Sequence, residues 1–125
     1  MASHGVSFPD ALLQPSCCEA AARDPGIRIE PAWRAAIVYG LPCAVNFLLP
    51  AAYYLAARFA GDFESTVLHA LNGGGQNMSR ACLTEALAGA QAGLSGIPER
   101  FIRGLRDGDM LLSLSRQVAL QAFEA

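Results

Sequence analysis

The sequence of 125 residues predicts an all-α fold, and three observations support that fold class. Its apolar segments are long enough for helices, and each ends at a glycine or before a proline. The connections between these segments are short, as in bundles of packed, mostly antiparallel helices. No segment alternates apolar and polar residues in the manner of a half-buried strand. We therefore expect a helical bundle of about five or six helices without a sheet.

Residues 1–30 are predicted to form an irregular N-terminal arm. Four residues that favour turns interrupt this segment, namely Pro9, Pro15, Pro25 and Gly26. Only residues 11–13 and 18–23 offer short helical turns. The helical region is expected to occupy residues 31–125.

The helices expected after residue 30 have recognisable starts and ends. Pro31 suits the start of the first helix, and Gly40 suits its end. Asp62 is a favourable N-cap for the third helix, and Pro98 opens the fifth. The expected ranges are 32–39, 47–60, 63–71, 79–94, 98–105 and 110–123.

One stretch, residues 35–57, carries no charge and is long enough to cross a bilayer. It is interrupted at Gly40-Leu41-Pro42, Asn46 and Pro50. In lipid, such breaks would leave backbone groups without hydrogen-bond partners. We interpret the stretch as a buried helical hairpin and expect no membrane association; a small membrane protein is the alternative.

The composition is poor in charge for a chain of this size. Hydrophobic residues make up 53% and charged residues 16%, against roughly 25% charged residues in typical soluble domains. A membrane span, an obligate oligomer, or a piece of a larger domain whose apolar faces need neighbours would each explain the deficit.

The charged residues exclude several classes of protein. With a net charge of -2 the chain has no basic field for a phosphate backbone, so nucleic acid is not an expected partner. All nine basic residues are arginine, which excludes chemistry that depends on a P-loop or Schiff-base lysine.

The four cysteines have no CxxC spacing and lie far from both histidines along the chain, so a zinc site is not expected. The N-terminus lacks the pattern of a signal peptide. We expect a cytoplasmic protein with reduced thiols.

The segment 72–80 is a glycine-rich loop that leads into the start of a helix. Backbone N–H groups and the helix dipole favour anions or oxygen-rich ligands at such places. The segment has neither the GK[ST] of a P-loop nor a preceding strand. Because glycine and asparagine are ordinary turn residues, a plain connection between two helices is the alternative.

Several spaced motifs resemble the closing part of ADP-ribosylglycohydrolases. In that family an N-x-G-G-D-x-D-T-like loop precedes a Gly/Ala helix, followed by G-x-x-x-I-P and an aromatic residue. The matching segments here are Asn72–Arg80 (NGGGQNMSR), Leu87-Ala88-Gly89-Ala90, Gly93, Ile97-Pro98-Glu99-Arg100-Phe101 and Leu105. Upstream, Tyr39-Gly40, Cys43, Pro50-Ala51-Ala52 and Asp62-Phe63-Glu64 resemble the branch that includes jellyfish lens crystallins. The likeness covers residues 33–105 and extends more weakly to the C-terminus.

The resemblance implies the C-terminal portion of the family's all-helical fold and a loop that binds two Mg²⁺ ions beside ADP-ribose. Carried over by position, the family's two aspartates fall on Gln76 and Met78, and its threonine falls on Ser79. This replacement removes both carboxylates, so we interpret the metal motif as degenerate and expect no bound Mg²⁺. The expected ligand-binding residues are Asn72, Gly74, Gly75 and Asn77.

The family's domains are longer than this chain, and their other metal-binding carboxylates lie in the N-terminal half, which is absent here. We assign no catalytic residue. The leading hypothesis is a truncated or inactive family member that binds ADP-ribose or an ADP-ribosylated protein, or that completes its site with a missing N-terminal half. The alternative is a non-enzymatic helical protein that self-associates through its Ala/Gly helix.

Overall fold

The computed structural model describes residues 14–124, and within that range the chain is helical and has no β-strand. The all-α class is therefore confirmed. The helices are α1 (Pro15–Arg23), α2 (Ala35–Tyr39), α3 (Val45–Arg58), α4 (Phe63–Asn72), α5 (Asn77–Ala92), α6 (Glu99–Arg103) and α7 (Gly108–Phe123), with 3-10 turns at Ala32–Arg34 and Leu94–Gly96.

Helix α1 corrects the prediction of an irregular arm, because it occupies residues 15–23 and packs against α3. Pro15 stands in its first turn, where the missing N–H of proline costs no intrahelical hydrogen bond. Cys18 and Ala22 are buried in the main core. This part of the segment therefore belongs to the bundle, whereas the turn expected at residues 11–13 lies outside the described residues.

The uncharged stretch 35–57 forms two helices, as predicted, but Ile37, Val38 and Val45 are more than half exposed, so the hairpin is not buried throughout. Helix α2 ends at Gly40, and α3 begins at Val45 and contains Pro50. Among residues 14–124, no helix is both long enough and apolar enough to cross a membrane.

Helix α3 lies at the centre of the bundle, where it contacts α1, α2, α4 and α5. Its Tyr54 and Leu55 are fully buried. The surrounding core is built mainly from small side chains: Cys18, Ala22, Ala32, Ala35, Ala70 and Ala81. Because small side chains allow backbones to approach closely, this composition fits a tightly packed bundle.

A second apolar cluster lies between α4 and α5 and extends to the residues after α5. Phe63, Val67 and Ala88 are buried there, and Ile97 and Phe101 pack against them. The rings of Phe63 and Phe101 meet edge to face with their centroids 5.4 Å apart. Asp62 caps α4, as predicted, since its Oδ1 accepts a 3.0 Å hydrogen bond from the N–H of Ser65.

Helix α7 has no buried residue, a property that it shares only with the five-residue α6 among the described helices. A groove of about 650 Å³ separates part of it from the second cluster. Leu111, Leu114 and Val118 are exposed along this helix. The chain therefore presents a long apolar surface near its C-terminus.

Candidate functional site

The glycine-rich loop is the four-residue connection, 73–76, between α4 and α5. Gly74 and Gly75 have φ angles of 73° and 60°, in the left-handed region that glycine adopts without steric cost. The N–H of Gln76 donates a 3.1 Å hydrogen bond to the carbonyl oxygen of Leu41. This bond ties the loop to the connection between α2 and α3.

Close packing explains the other glycine of the loop. A Cβ placed on Gly73 would lie 2.3 Å from the Cβ of Ala36 and 3.0 Å from the carbonyl oxygen of Trp33. A Cβ on Gly75 would lie 2.7 Å from the Cβ of Leu41. The backbone of the loop thus rests directly on α2 and on the residues that flank it.

The four predicted ligand-binding residues lie together at this loop. Asn72, Gly74 and Gly75 are exposed. Asn77 is half-buried, and its Nδ2 donates a weak 3.4 Å hydrogen bond to the carbonyl oxygen of Leu71. The groups available to a ligand are therefore mainly backbone groups and the Asn72 side chain.

The predicted metal positions stand at the start of α5. Gln76 is the N-cap residue and makes no capping hydrogen bond through its side chain. Met78 is 68% exposed, and Ser79 is half-buried. Together they offer an amide oxygen, a thioether and a hydroxyl, whereas Mg²⁺ in proteins is held mainly through carboxylates. Within the part of the chain that the structure describes, no group of three His, Cys, Asp or Glu side chains is placed to hold a metal ion. These residues do not fit Mg²⁺.

Arg80 is the main feature of the site that the sequence did not single out. It is fully buried in the first turns of α5. Its Nη1 donates 3.0 Å hydrogen bonds to the carbonyl oxygens of Ala70 and Gly74. Its Nε and Nη2 are also buried, and neither has a hydrogen-bond partner among residues 14–124. Burial lowers the pKa of Arg80 from its ordinary value.

The position of Arg80 has a structural cause. Since α5 packs one side against α3 and α4, the residues on that side, Arg80, Ala81, Thr84 and Ala88, are buried. An arginine next to a glycine-rich loop is visible in the sequence, but its inward orientation depends on the helix packing. Glu85 lies instead on the exposed side of α5 at the rim of the groove, where apolar neighbours raise the pKa of its carboxyl.

The chain belongs to the ADP-ribosylglycohydrolase family, since the model of that family matches residues 7–125. An uncharacterized protein of Archaeoglobus fulgidus is 38% identical over 72 residues, which are 57% of this chain and 22% of that protein. The matched part of the chain thus spans less than a quarter of that relative's length. No solved structure gave a significant match. The family resemblance seen in the sequence is confirmed, whereas the crystallin branch stays a prediction.

Proposed function

We propose that the chain is a non-hydrolysing member of the ADP-ribosylglycohydrolase family, a pseudoenzyme that binds ADP-ribose at loop 72–77. The observation that carries the proposal is the set of donors at Gln76, Met78 and Ser79. None of them is a carboxylate, and helix α5 has no acidic residue in its first turn.

The charge around the loop also supports a loss of metal-dependent hydrolysis. The family reaction needs Mg²⁺ to position ADP-ribose and the attacking water, and a divalent cation is stabilised by anionic ligands. Here the charged group packed against the loop is the cationic Arg80, whose Nη1 lies 3.0 Å from the carbonyl oxygen of Gly74. A cation at this place disfavours a second cation nearby.

Two assays test this function. The first incubates the purified chain with an ADP-ribosylated protein and Mg²⁺, with an active family member as the positive control, and we expect no release of ADP-ribose. The second measures ADP-ribose binding by isothermal titration, where we expect binding. Release that depends on Mg²⁺ would contradict the proposed inactivity, and absence of ADP-ribose binding would contradict the proposed ligand.

A pair of glycine variants locates the binding site. Gly75→Ala places a Cβ against Leu41 at a left-handed position and is expected to weaken ADP-ribose binding at least tenfold. Gly61→Ala is the matched control, because Gly61 also has a positive φ, of 86°, but lies before α4, and its Cβ would meet no atom within 4 Å. Equal affinity of the two variants would place the ligand elsewhere.

A structural role through self-association is the second candidate function. Its support is the exposed apolar surface of α7, with Leu111, Leu114 and Val118 between 42% and 64% exposed. The Ala/Gly helix α5 is less suited to this role, because one side of it is already packed in the bundle. We expect light scattering to show oligomers that dissociate when these three residues are replaced by Gln. A wild-type monomer at high concentration would exclude this role.

The proposed location is the cytoplasm. The four cysteines of the chain form no disulfide within residues 14–124, which fits a reducing compartment. Fractionation of cells that express the tagged chain checks the location, and recovery in a secreted fraction would contradict it.

A further inference from the structure

We propose that Arg80, the first turn of α5 and the residues Gly74 and Gly75 form a receptor for an oxyanion, such as a phosphate group. The family resemblance implies a divalent cation at this loop, so the proposal exchanges a cation site for an anion site. The proposal rests on the proposed function only where it implies that the bound phosphate group belongs to ADP-ribose. The anion site itself can be tested with inorganic phosphate alone.

The geometry of the guanidinium group is the first argument. Nε and Nη2, which have no hydrogen-bond partner among residues 14–124, lie on the same edge of the guanidinium group of Arg80. Their parallel N–H bonds form the fork that matches two oxygens of a phosphate or carboxylate. Nη1 is already occupied by the carbonyl oxygens of Ala70 and Gly74, which hold the group in place. One bidentate oxyanion would therefore satisfy both remaining donors.

The absence of a counter-charge is the second argument. Arg80 forms no ion pair with any residue in the described range 14–124, and burial is the cause of its lowered pKa. By contrast, Arg58 donates from Nη2 to the carboxylate of Glu30 at 2.6 Å. A buried guanidinium group without an anion is costly, and a bound oxyanion would remove that cost.

The start of helix α5 is the third argument. The first-turn N–H groups of a helix have no intrahelical acceptors and lie at the positive end of the helix dipole. In this 16-residue helix the N-cap Gln76 does not cap them with its side chain, and the first turn contains no acidic residue. The Asn77 N–H already donates a 2.8 Å hydrogen bond to the carbonyl oxygen of Gly75, so it is the remaining first-turn N–H groups that, with Arg80, bring positive charge to the loop.

Access to the Arg80 fork requires the loop to move, since Nε and Nη2 are buried. Such a movement has to break the hydrogen bond from the Gln76 N–H to the Leu41 carbonyl oxygen, and on the solvent side the loop is open. Gly74 and Gly75 are exposed, and a Cβ on Gly74 would meet no atom within 4 Å. The space beside Gly74 is therefore open to solvent.

The test is the thermal unfolding of the whole chain in inorganic phosphate and in sodium chloride of the same ionic strength. We expect phosphate at ten times its Kd to raise the Tm of the wild type by about 5 °C. Arg80→Lys keeps a positive charge but loses the fork, and we expect its phosphate shift to fall below about 1 °C. Arg58→Lys is the matched control and should keep the wild-type shift.

If Arg80→Lys fails to fold, a second variant tests the oxyanion site. Met78→Glu changes an exposed side chain and places a carboxylate in the first turn of α5, where it competes with phosphate. We expect it to reduce the phosphate shift at least by half. Gln91→Glu adds the same charge near the other end of α5 and should not change the phosphate shift.

The outcomes separate this site from the proposed function. A phosphate shift that is lost in the Arg80 and Met78 variants supports the oxyanion receptor even if ADP-ribose does not bind, which would overturn only the proposed function. A phosphate shift of wild-type size in folded Arg80→Lys and in Met78→Glu overturns the receptor. Binding of ADP-ribose without any effect of phosphate also overturns it and leaves the proposed function standing.

Discussion

The hydroxyl oxygen of Tyr54 accepts a 2.7 Å hydrogen bond from the backbone N–H of Ile29. Tyr54 is fully buried on α3, and Ile29 belongs to the segment between α1 and α2. Burial raises the pKa of the tyrosine from its ordinary value. This contact attaches the segment that follows α1 to the central helix.

Removal of that hydroxyl is expected to destabilise the protein. Tyr54→Phe leaves the N–H of Ile29 without its acceptor, and the cost of such an unpaired group is about 1–3 kcal/mol. Tyr53→Phe is the control, because Tyr53 is only half-buried on the same helix. Urea denaturation measures both variants, and an equal loss of stability in the two would contradict the role of the Tyr54 hydroxyl.

The cap of α4 is expected to depend on pH. Hydrogen bonds from Ser65 lower the pKa of Asp62 below its ordinary value of 3.8. A carboxylate with a lowered pKa stabilises the fold above its ordinary pKa, and this contribution is lost as the pH falls through the lowered value. Asp62→Ala should therefore cost about 1 kcal/mol at neutral pH. Denaturation at a series of pH values should show the difference narrowing below pH 3.8; a constant difference would mean that the charge is not involved.

Two glycine-to-alanine changes are expected to have opposite effects. Gly89 lies inside α5, and a Cβ there would be 3.9 Å from its nearest neighbours, Ile97 and Phe63. Gly89→Ala should therefore stabilise the protein by about 0.5–1 kcal/mol, because alanine loses less entropy in a helix. Gly73→Ala would force its Cβ against Ala36 and should destabilise the protein by about 1–3 kcal/mol. Thermal unfolding of both variants is the measurement. If Gly73→Ala stabilised the protein, α2 would have to shift away from residue 73 at little cost in free energy.

The native loop is expected to bind no Mg²⁺ in the low-millimolar range. Restoring carboxylates with Gln76→Asp and Met78→Asp together should recover little affinity, because no group of three His, Cys, Asp or Glu side chains within residues 14–124 is placed to hold a metal ion and Arg80 opposes a cation. Isothermal titration of the wild type and the double variant checks both statements. Tight binding by the wild type would show that the loop still functions as a metal site.

The sequence predicted the parts of the fold that depend on local signals. Asp62 as a cap, Gly40 as a helix end and the division of the uncharged stretch all follow from neighbouring residues, and each was confirmed. Helix α1 was predicted only as a short helical turn at residues 18–23, because Pro15 and Pro25 suggested a broken segment. Its stability depends on burial of Cys18 and Ala22 against α3, a long-range contact that a local pattern does not contain.

For the candidate site, the sequence predicted the position of the glycine-rich loop; that this loop binds a ligand stays a prediction. The glycines and the helix predicted from residue 79 marked the loop, although α5 begins at Asn77, and comparison of residue types revealed the missing carboxylates. The environment of Arg80 was not predictable in this way. Its burial, and the absence of partners for two of its nitrogens among residues 14–124, arise where α5 packs against α3 and α4, a long-range contact.

The amide hydrogen exchange of helix α7 can report the binding of a partner. With no buried residue, its 16 residues rely on local helical hydrogen bonds, and isolated helices of that length are only marginally stable in water. Its backbone amides should therefore exchange with deuterium far faster than those of the central helix α3. Any molecule that covers Leu111, Leu114 and Val118 will slow that exchange, so mass spectrometry of the peptide 108–123 detects the partner without a label on either molecule.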